Sequence, residues 1–293
     1  MNSESSKISL YLRILSYSVL AFTLAFLINN VLTVWSDWPG VKKIFSHYEM
    51  FGFKKKALDG SALNYGFMQI GVYLICIVAV IIYVFKTYSQ TLERDSEILS
   101  NFSAYLVRSS FWAVFLVGVA DFIISFMVVE RLWEAIFSPE VKAFMVKSPE
   151  RITFIHFPII LISFVIGYFT KSVGFIWLAV LVVVSEFIIV LSRFIFSYEQ
   201  AFQGDLVRFW YAALYLFASA YALIHEGHVR VDVLYSSFTE RKKAWTNLLG
   251  SALLGVPLVL IVLFLGLNGK ASIINGPVVA FEVTQQGLSL IHI

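Results

Sequence analysis

The stretch VGFIWLAVLVVVSEFIIVLSR, residues 173–193, decides the fold. It is almost entirely apolar, and its charged residues are Glu186 and the closing Arg193. A helix that crosses the hydrocarbon core of a bilayer needs about 20 consecutive, mostly apolar residues. The stretch therefore predicts a transmembrane helix.

The composition of the whole chain leads to the same class of protein. Of 293 residues, 59% are hydrophobic and only 14% are charged, and the mean hydropathy is +0.81. Soluble domains carry about 25% charged residues. The net charge of +3 comes from short Lys and Arg clusters between apolar runs. This pattern is typical of the loops of membrane proteins, so we expect no nucleic-acid partner.

Six further apolar runs have a length similar to the first. We therefore predict an all-α integral membrane protein with about seven transmembrane helices. The predicted spans are residues 14–35, 66–86, 106–129, 152–170, 173–193, 206–225 and 247–266.

Some helix ends and one kink are also readable. Ser138 before Pro139 is a typical helix start and predicts a short surface helix over residues 139–147. Ser237 and Glu240 fit a capping box ahead of the seventh span. Pro257, inside that span, is expected to kink it.

Charged residues inside the predicted spans need a physical reason, because each costs about 2.5 to 3.5 kcal/mol on insertion scales. The candidates are Asp121 and Arg108 in the third span and Glu186 in the fifth. They could form an ion or proton relay, or they could hold neighbouring helices together. We favour the second interpretation, because neither carboxylate has another acidic residue three or four positions later to build a coordination shell.

Asn29 and Asn30 in the first span fit the same interpretation, as amides that cross between helices. His156 is read as a satisfied interfacial histidine. His225 and His228 have a spacing that suits a metal, but no third ligand is near them in the sequence, so we expect no metal site.

The sequence contains no GxSxG, GxxxxGK[ST] or HExxH motif, and its single cysteine, Cys76, lies in an apolar run. We therefore expect no enzyme activity, no catalytic residue and no cofactor.

One segment resembles a known family. The stretch DLVRFWYAALYLFASAYALIHEGHVRVDVL, which starts at residue 205, is similar to the DctQ-like small membrane subunit of tripartite ATP-independent periplasmic (TRAP) transporters. In that family an acidic residue and an arginine open a helix, and an H-V-x-V-D signature follows about twenty residues later. The positions that match the family pattern are Arg193, Asp205, Arg208, His228, Arg230 and Asp232.

The resemblance divides the chain into two predicted domains. Residues 172–293 form the DctQ-like domain, and residues 1–171 form an N-terminal membrane extension with about four spans. The family core has four spans, whereas only three follow residue 172, so an eighth span is expected to be missing after residue 293.

The resemblance implies a scaffold role in a bacterial inner membrane. Such subunits bind a large permease subunit that holds sodium and substrate, a periplasmic binding protein delivers the organic acid, and membrane lipid surrounds the pair. One alternative is a self-sufficient carrier or channel that uses Asp121 and Glu186. Another is an anchor for an unrelated complex, which would not explain the spacing of Asp205, Arg208 and His228.

The charges of the loops do not decide the orientation in the membrane. The family orientation places residues 228–232 at the inner face, together with Arg241, Lys242 and Lys243, as the positive-inside rule prefers. The same orientation places the lysine-rich loop of residues 36–65 outside, as an exception to that rule.

Overall fold

The computed structural model of the protein describes residues 3–171, 175–198, 201–224 and 233–279. These residues are mainly helical and contain no β-strand. Within them, six helices are long and apolar enough to cross a membrane. The predicted all-α membrane fold is confirmed.

The helices follow one another with short connections. Before residue 172 they are α1 (Ser3–Trp35), α2 (Val41–His47), α3 (Gly60–Lys86), α4 (Leu92–Val129), α5 (Trp133–Ile136), α6 (Pro139–Val146), α7 (Ser148–Arg151) and α8 (Phe157–Phe169). The later helices are α9 (Phe175–Phe196), α10 (Ala201–Ile224), α11 (Val233–Ser236), α12 (Glu240–Gly250), α13 (Val256–Gly266) and α14 (Asn275–Val279).

Six predicted spans coincide with helices of membrane length. These helical stretches are Lys7–Trp35, Gly60–Lys86, Leu92–Val129, Pro149–Phe169, Ile176–Ile195 and Glu240–Gly266. The remaining predicted span, 206–225, falls on α10, which has 24 residues and is not among the six. Its first turns carry Gln203, Asp205 and Arg208, which make that end of the helix polar.

Two of the predicted helix starts have different outcomes. The surface helix after Ser138 is confirmed as α6, and Ser138 has the extended backbone of an N-cap, with φ −65° and ψ 154°. The capping box at Ser237 is wrong, because α12 begins after Thr239. The Ser237 hydroxyl instead donates to the carbonyl of Leu234 at 2.7 Å.

Prolines inside two spans are accommodated by wider helical turns. A π-helical turn at Ser251–Gly255 directly precedes Pro257, and another at Ile152–His156 directly precedes Pro158. Proline has no N–H to donate, and its ring clashes with the carbonyl four residues earlier. The expected disturbance at Pro257 therefore takes the form of a local change of helical pitch.

The helices pack as two compact units. One is the described part of Met1–Ile98 together with Thr239–Val279, and the other is the described part of Leu99–Phe238. The predicted domains follow family resemblance along the sequence, whereas these units follow packing in space. The last long helical stretch thus shares a unit with the first.

In the first unit, α1 packs along α3 and also meets α13. The rings of Phe26 and Phe264 lie 4.5 Å apart in an edge-to-face arrangement. In the second unit, α4, α9 and α10 share an apolar core. Its buried members are Phe111, Val114, Leu178, Phe202, Leu206, Trp210 and Ala213.

Helices α4 and α8 approach closely at a glycine. A Cβ atom added at Gly167 would lie 2.4 Å from the Ser109 hydroxyl and 2.9 Å from backbone atoms of Ser109. Small residues of this kind let membrane helices come into direct backbone contact. The carbonyl of Gly167 also accepts a hydrogen bond from Arg108 Nε at 3.2 Å.

We predict that Gly167→Ala destabilises the protein by about 1 to 3 kcal/mol, because α4 and α8 must move apart. Gly71→Ala is the matched control: this glycine lies inside α3, and an added Cβ would meet no atom within 4 Å. Thermal unfolding in detergent, followed by size-exclusion chromatography, measures both variants. Equal stability of the two variants would contradict the close approach.

Candidate functional site

Asp205 and Arg208, which the family resemblance singled out, lie in the first turns of α10. Arg208 Nη1 donates to Asp205 Oδ1 at 3.4 Å, across one helical turn. The Arg208 side chain is 84% exposed, whereas that of Asp205 is 11% exposed. The pair therefore points a guanidinium outwards and holds its carboxylate against the helix bundle.

The buried side of the same helix end has unused hydrogen-bonding capacity. Asp205 Oδ2 and Gln203 Oε1 are buried oxygens that accept no hydrogen bond in the described part of the chain. Leaving such a group unsatisfied costs about 1 to 3 kcal/mol. Helix α10 is nevertheless fixed in place, because Trp210 packs over Gly118 of α4, where a Cβ would lie 2.5 Å from the indole nitrogen.

The remaining family positions are only partly described. Arg193 lies exposed in the last turn of α9, where a cation is favourable for the helix dipole. His228, Arg230 and Asp232 lie outside the described residues, as does His225. Their predicted roles stay predictions.

A charged cluster is buried around Asp121, in the last third of α4. Asp121 Oδ1 accepts a hydrogen bond from Arg151 Nη1 at 3.0 Å and lies 3.2 Å from His156 Nε2. Arg151 also donates from Nε to the carbonyl of Met145 at 2.8 Å. Asp121 and His156 are fully buried and Arg151 is 3% exposed. The cluster joins α4 to the start of the fourth membrane-spanning helical stretch.

The residue that the sequence analysis missed in this cluster is Arg151. It directly precedes the predicted span of residues 152–170, in which His156 lies. Two polar groups at the start of such a span need a partner at membrane depth. The acidic residue that supplies it, Asp121, is 30 positions away in the sequence.

Arg108 contacts a neighbouring helix. Its Nε donates to the carbonyl of Gly167 in α8. Neighbouring side chains of α4 do the same: Tyr105 donates to the carbonyl of Phe164 at 3.1 Å, and Trp112 donates to the Thr170 hydroxyl at 3.1 Å. Three side chains of α4 thus donate hydrogen bonds to acceptors in the last turns of α8 and just after it.

Glu186 lies on an exposed side of α9 and makes no hydrogen bond or ion pair with any described residue. The two carboxylates of the alternative ion or proton relay therefore differ in environment: Asp121 is enclosed and paired, and Glu186 faces outwards.

The amides of the first span bond to other helices, as the inter-helix interpretation requires. Asn29 Nδ2 donates to the carbonyl of Gln69 in α3 at 3.2 Å. Asn30 and Asn275 of α14 exchange two hydrogen bonds, at 3.0 and 3.1 Å. Asn275 also donates to the carbonyls of Leu267 and Gly269, which fixes the turn after α13.

A second buried ion pair was not predicted. Arg13 Nε of α1 donates to Asp95 Oδ2 of α4 at 2.5 Å, and both side chains are at most 6% exposed. The other guanidinium nitrogens donate to the carbonyl and hydroxyl of Thr87, each at 2.8 Å. Tyr17 and Gln90 donate to Asp95 Oδ1. Neither charge is left without partners.

The described residues contain no group of three His, Cys, Asp or Glu side chains that could hold a metal ion. The polar clusters near Arg13, Asn29 and Asp121 consist instead of side chains that hydrogen-bond one helix to another.

A comparison with family models gives one match. Residues 180–280 match the DctQ component of tripartite ATP-independent periplasmic transporters. The resemblance seen in the sequence is therefore confirmed for this part of the chain, which includes α10, α12 and α13 and most of α9. The family is a transporter component family and not an enzyme family. Comparisons with curated proteins and with solved structures gave no significant match.

We predict that Arg151→Gln and Asp121→Asn each destabilise the protein by about 3 to 5 kcal/mol, since each leaves a buried charge without its partner. The loss of stability in the double variant should be smaller than the sum of the two single losses, by about 0.5 to 3 kcal/mol. Thermal unfolding of the four proteins in detergent measures this coupling.

The control for that cycle is the ion pair of Lys147 and Glu150, 3.8 Å apart near the same helix start, in which Lys147 is exposed and Glu150 is half-buried. Substituting Gln at both positions should change stability by at most about 1 kcal/mol. Additive effects at Asp121 and Arg151 would show that the buried pair does not join the helices.

Proposed function

We propose that the chain is the small membrane subunit of a sodium-coupled TRAP transporter that imports an organic acid. The observation that carries this proposal is the match of residues 180–280 to the DctQ component. In the proposed complex, a large permease subunit holds the sodium and the substrate, and a periplasmic binding protein delivers the substrate. The location is the bacterial inner membrane.

The arrangement of charges supports a scaffold role for this subunit. Asp121 bonds Arg151 and Asp95 bonds Arg13, so both carboxylates are engaged in contacts between helices. A group that stabilises the fold in this way is not available for repeated binding and release of an ion. The same contacts make a rigid support against which a moving partner can work.

The partner contact proposed here is the polar start of α10, together with residues 228–232. Arg208 is the exposed charge of that helix end, and arginine is enriched among the residues that contribute most to protein interfaces. A carboxylate of the permease would pair with the guanidinium. Asp205 holds Arg208 in position from the buried side.

We expect affinity purification of the tagged chain from native membranes to recover a large multi-span permease in stoichiometric amount. Mass spectrometry identifies the partner, and its pocket then identifies the solute. Recovery of the chain alone, in membranes that contain the permease, would contradict the scaffold proposal. It would favour the alternative carrier that uses Asp121 and Glu186.

We predict that Arg208→Gln weakens permease binding by about 2 kcal/mol, or roughly 30-fold, and lowers uptake without changing the preferred solute. The matched control is Arg94→Gln. Arg94 forms an exposed pair with Glu97 at the same spacing, at 2.9 Å, but lies outside residues 180–280. Uptake with an altered solute preference would place the substrate site in this chain.

A further inference from the structure

The connection between α1 and α3 presents a surface that the transporter role does not explain. We name it the basic aromatic surface. Its members are all exposed, and they are Lys42, Lys43, Tyr48, Met50, Phe51, Lys54, Lys55 and Lys56. Residues 41–56 contain five lysines and one glutamate, so this segment has a net charge of +4.

This surface is held in a defined position next to the spans. Ile44 of α2 is 2% exposed and packs over Gly66 of α3, where an added Cβ would lie 2.0 Å from its Cδ1 atom. The amide of Lys56 donates to the carbonyl of Ser46 at 3.1 Å, and the amide of Leu58 donates to His47 Nδ1 at 3.0 Å. The loop is therefore held by its internal hydrogen bonds and by the packing of Ile44 against α3.

The aromatic groups of this segment stand between two blocks of lysines in the sequence. Lys42 Nζ lies 5.8 Å from the centre of the Phe53 ring, and Lys55 reaches Glu49 at 3.4 Å. Phe51 touches Phe45 edge-to-face at 5.1 Å. Apart from Glu49, no acidic residue lies between residues 41 and 56, so the positive charge is largely uncompensated.

Phe51 is held outwards in a strained conformation. Its φ is 56° and its side chain is 78% exposed. Left-handed backbone costs a non-glycine residue about 1 to 2 kcal/mol, and the contact with Phe45 leaves most of the Phe51 ring exposed. Glu49 has the same φ of 56°. Strain that fixes an exposed apolar ring indicates a contact with something outside the chain.

We propose that the basic aromatic surface binds anionic phospholipid headgroups of the leaflet in which α1 ends and α3 begins. Trp35 closes the first span and Gly60 opens the next, so the intervening loop lies at headgroup level. Lysines there attract anionic lipid, and exposed Phe51 and Met50 match the boundary between headgroups and acyl chains. The proposal is independent of the transporter role.

The test measures which lipid gathers at this loop in the full-length protein. A Cys76→Ser background with Tyr48→Cys accepts one environment-sensitive fluorophore within the surface and leaves all five of its lysines in place. The labelled protein is reconstituted in phosphatidylcholine vesicles that contain nitroxide-labelled phosphatidylglycerol or, separately, nitroxide-labelled phosphatidylcholine at the same fraction. Quenching should show about fivefold enrichment of phosphatidylglycerol, which should fall as salt is added.

Lys42→Gln with Lys43→Gln should remove most of this enrichment. Lys142→Gln with Lys147→Gln is the control, because these lysines, one half-buried and one exposed, lie outside the surface. Equal quenching by the two lipids in the unsubstituted protein would overturn the proposal. An equal loss of phosphatidylglycerol enrichment in the control variant would also overturn it. Absence of quenching by either lipid would also overturn the proposal. It would favour an acidic protein as the partner that binds this surface.

Discussion

The cost of placing a charge in hydrocarbon governs how the helices of this protein are joined. Arg13 meets Asp95 at 2.5 Å and Arg151 meets Asp121 at 3.0 Å, and all four side chains are buried. A lone ion at such depth would be strongly destabilising, whereas a paired and hydrogen-bonded ion is tolerated. Each pair therefore fixes which helix lies beside which. The surrounding apolar side chains, which pack in many ways, could not do this alone.

Apolar packing makes the N-terminal helices an integral part of the fold. The DctQ-type segment is shared between the two units: α9 and α10 pack in a core with α4, and α13 packs against α1. Helices α1 and α4 thus cover surfaces of the helices that match the family.

The sequence predicted some residues of the site and missed others for identifiable reasons. Asp121 was recognised because a carboxylate in an apolar run is conspicuous, but Arg151 was not recognised as its partner. Arg108 is near Asp121 in sequence, yet it bonds the carbonyl of Gly167. Hydrogen-bond partners are selected by which helices pack together, and a single span does not contain that information.

The sequence by itself determined that the protein is an all-α membrane protein with a DctQ-type segment. Apolar run length and the spacing of Asp205 and Arg208 are local properties, which the chain carries whatever its packing. Only the tertiary structure decided the contacts between distant residues, such as the amide pair of Asn30 and Asn275. These partners are 245 positions apart, and they meet because buried polar groups at membrane depth must satisfy one another.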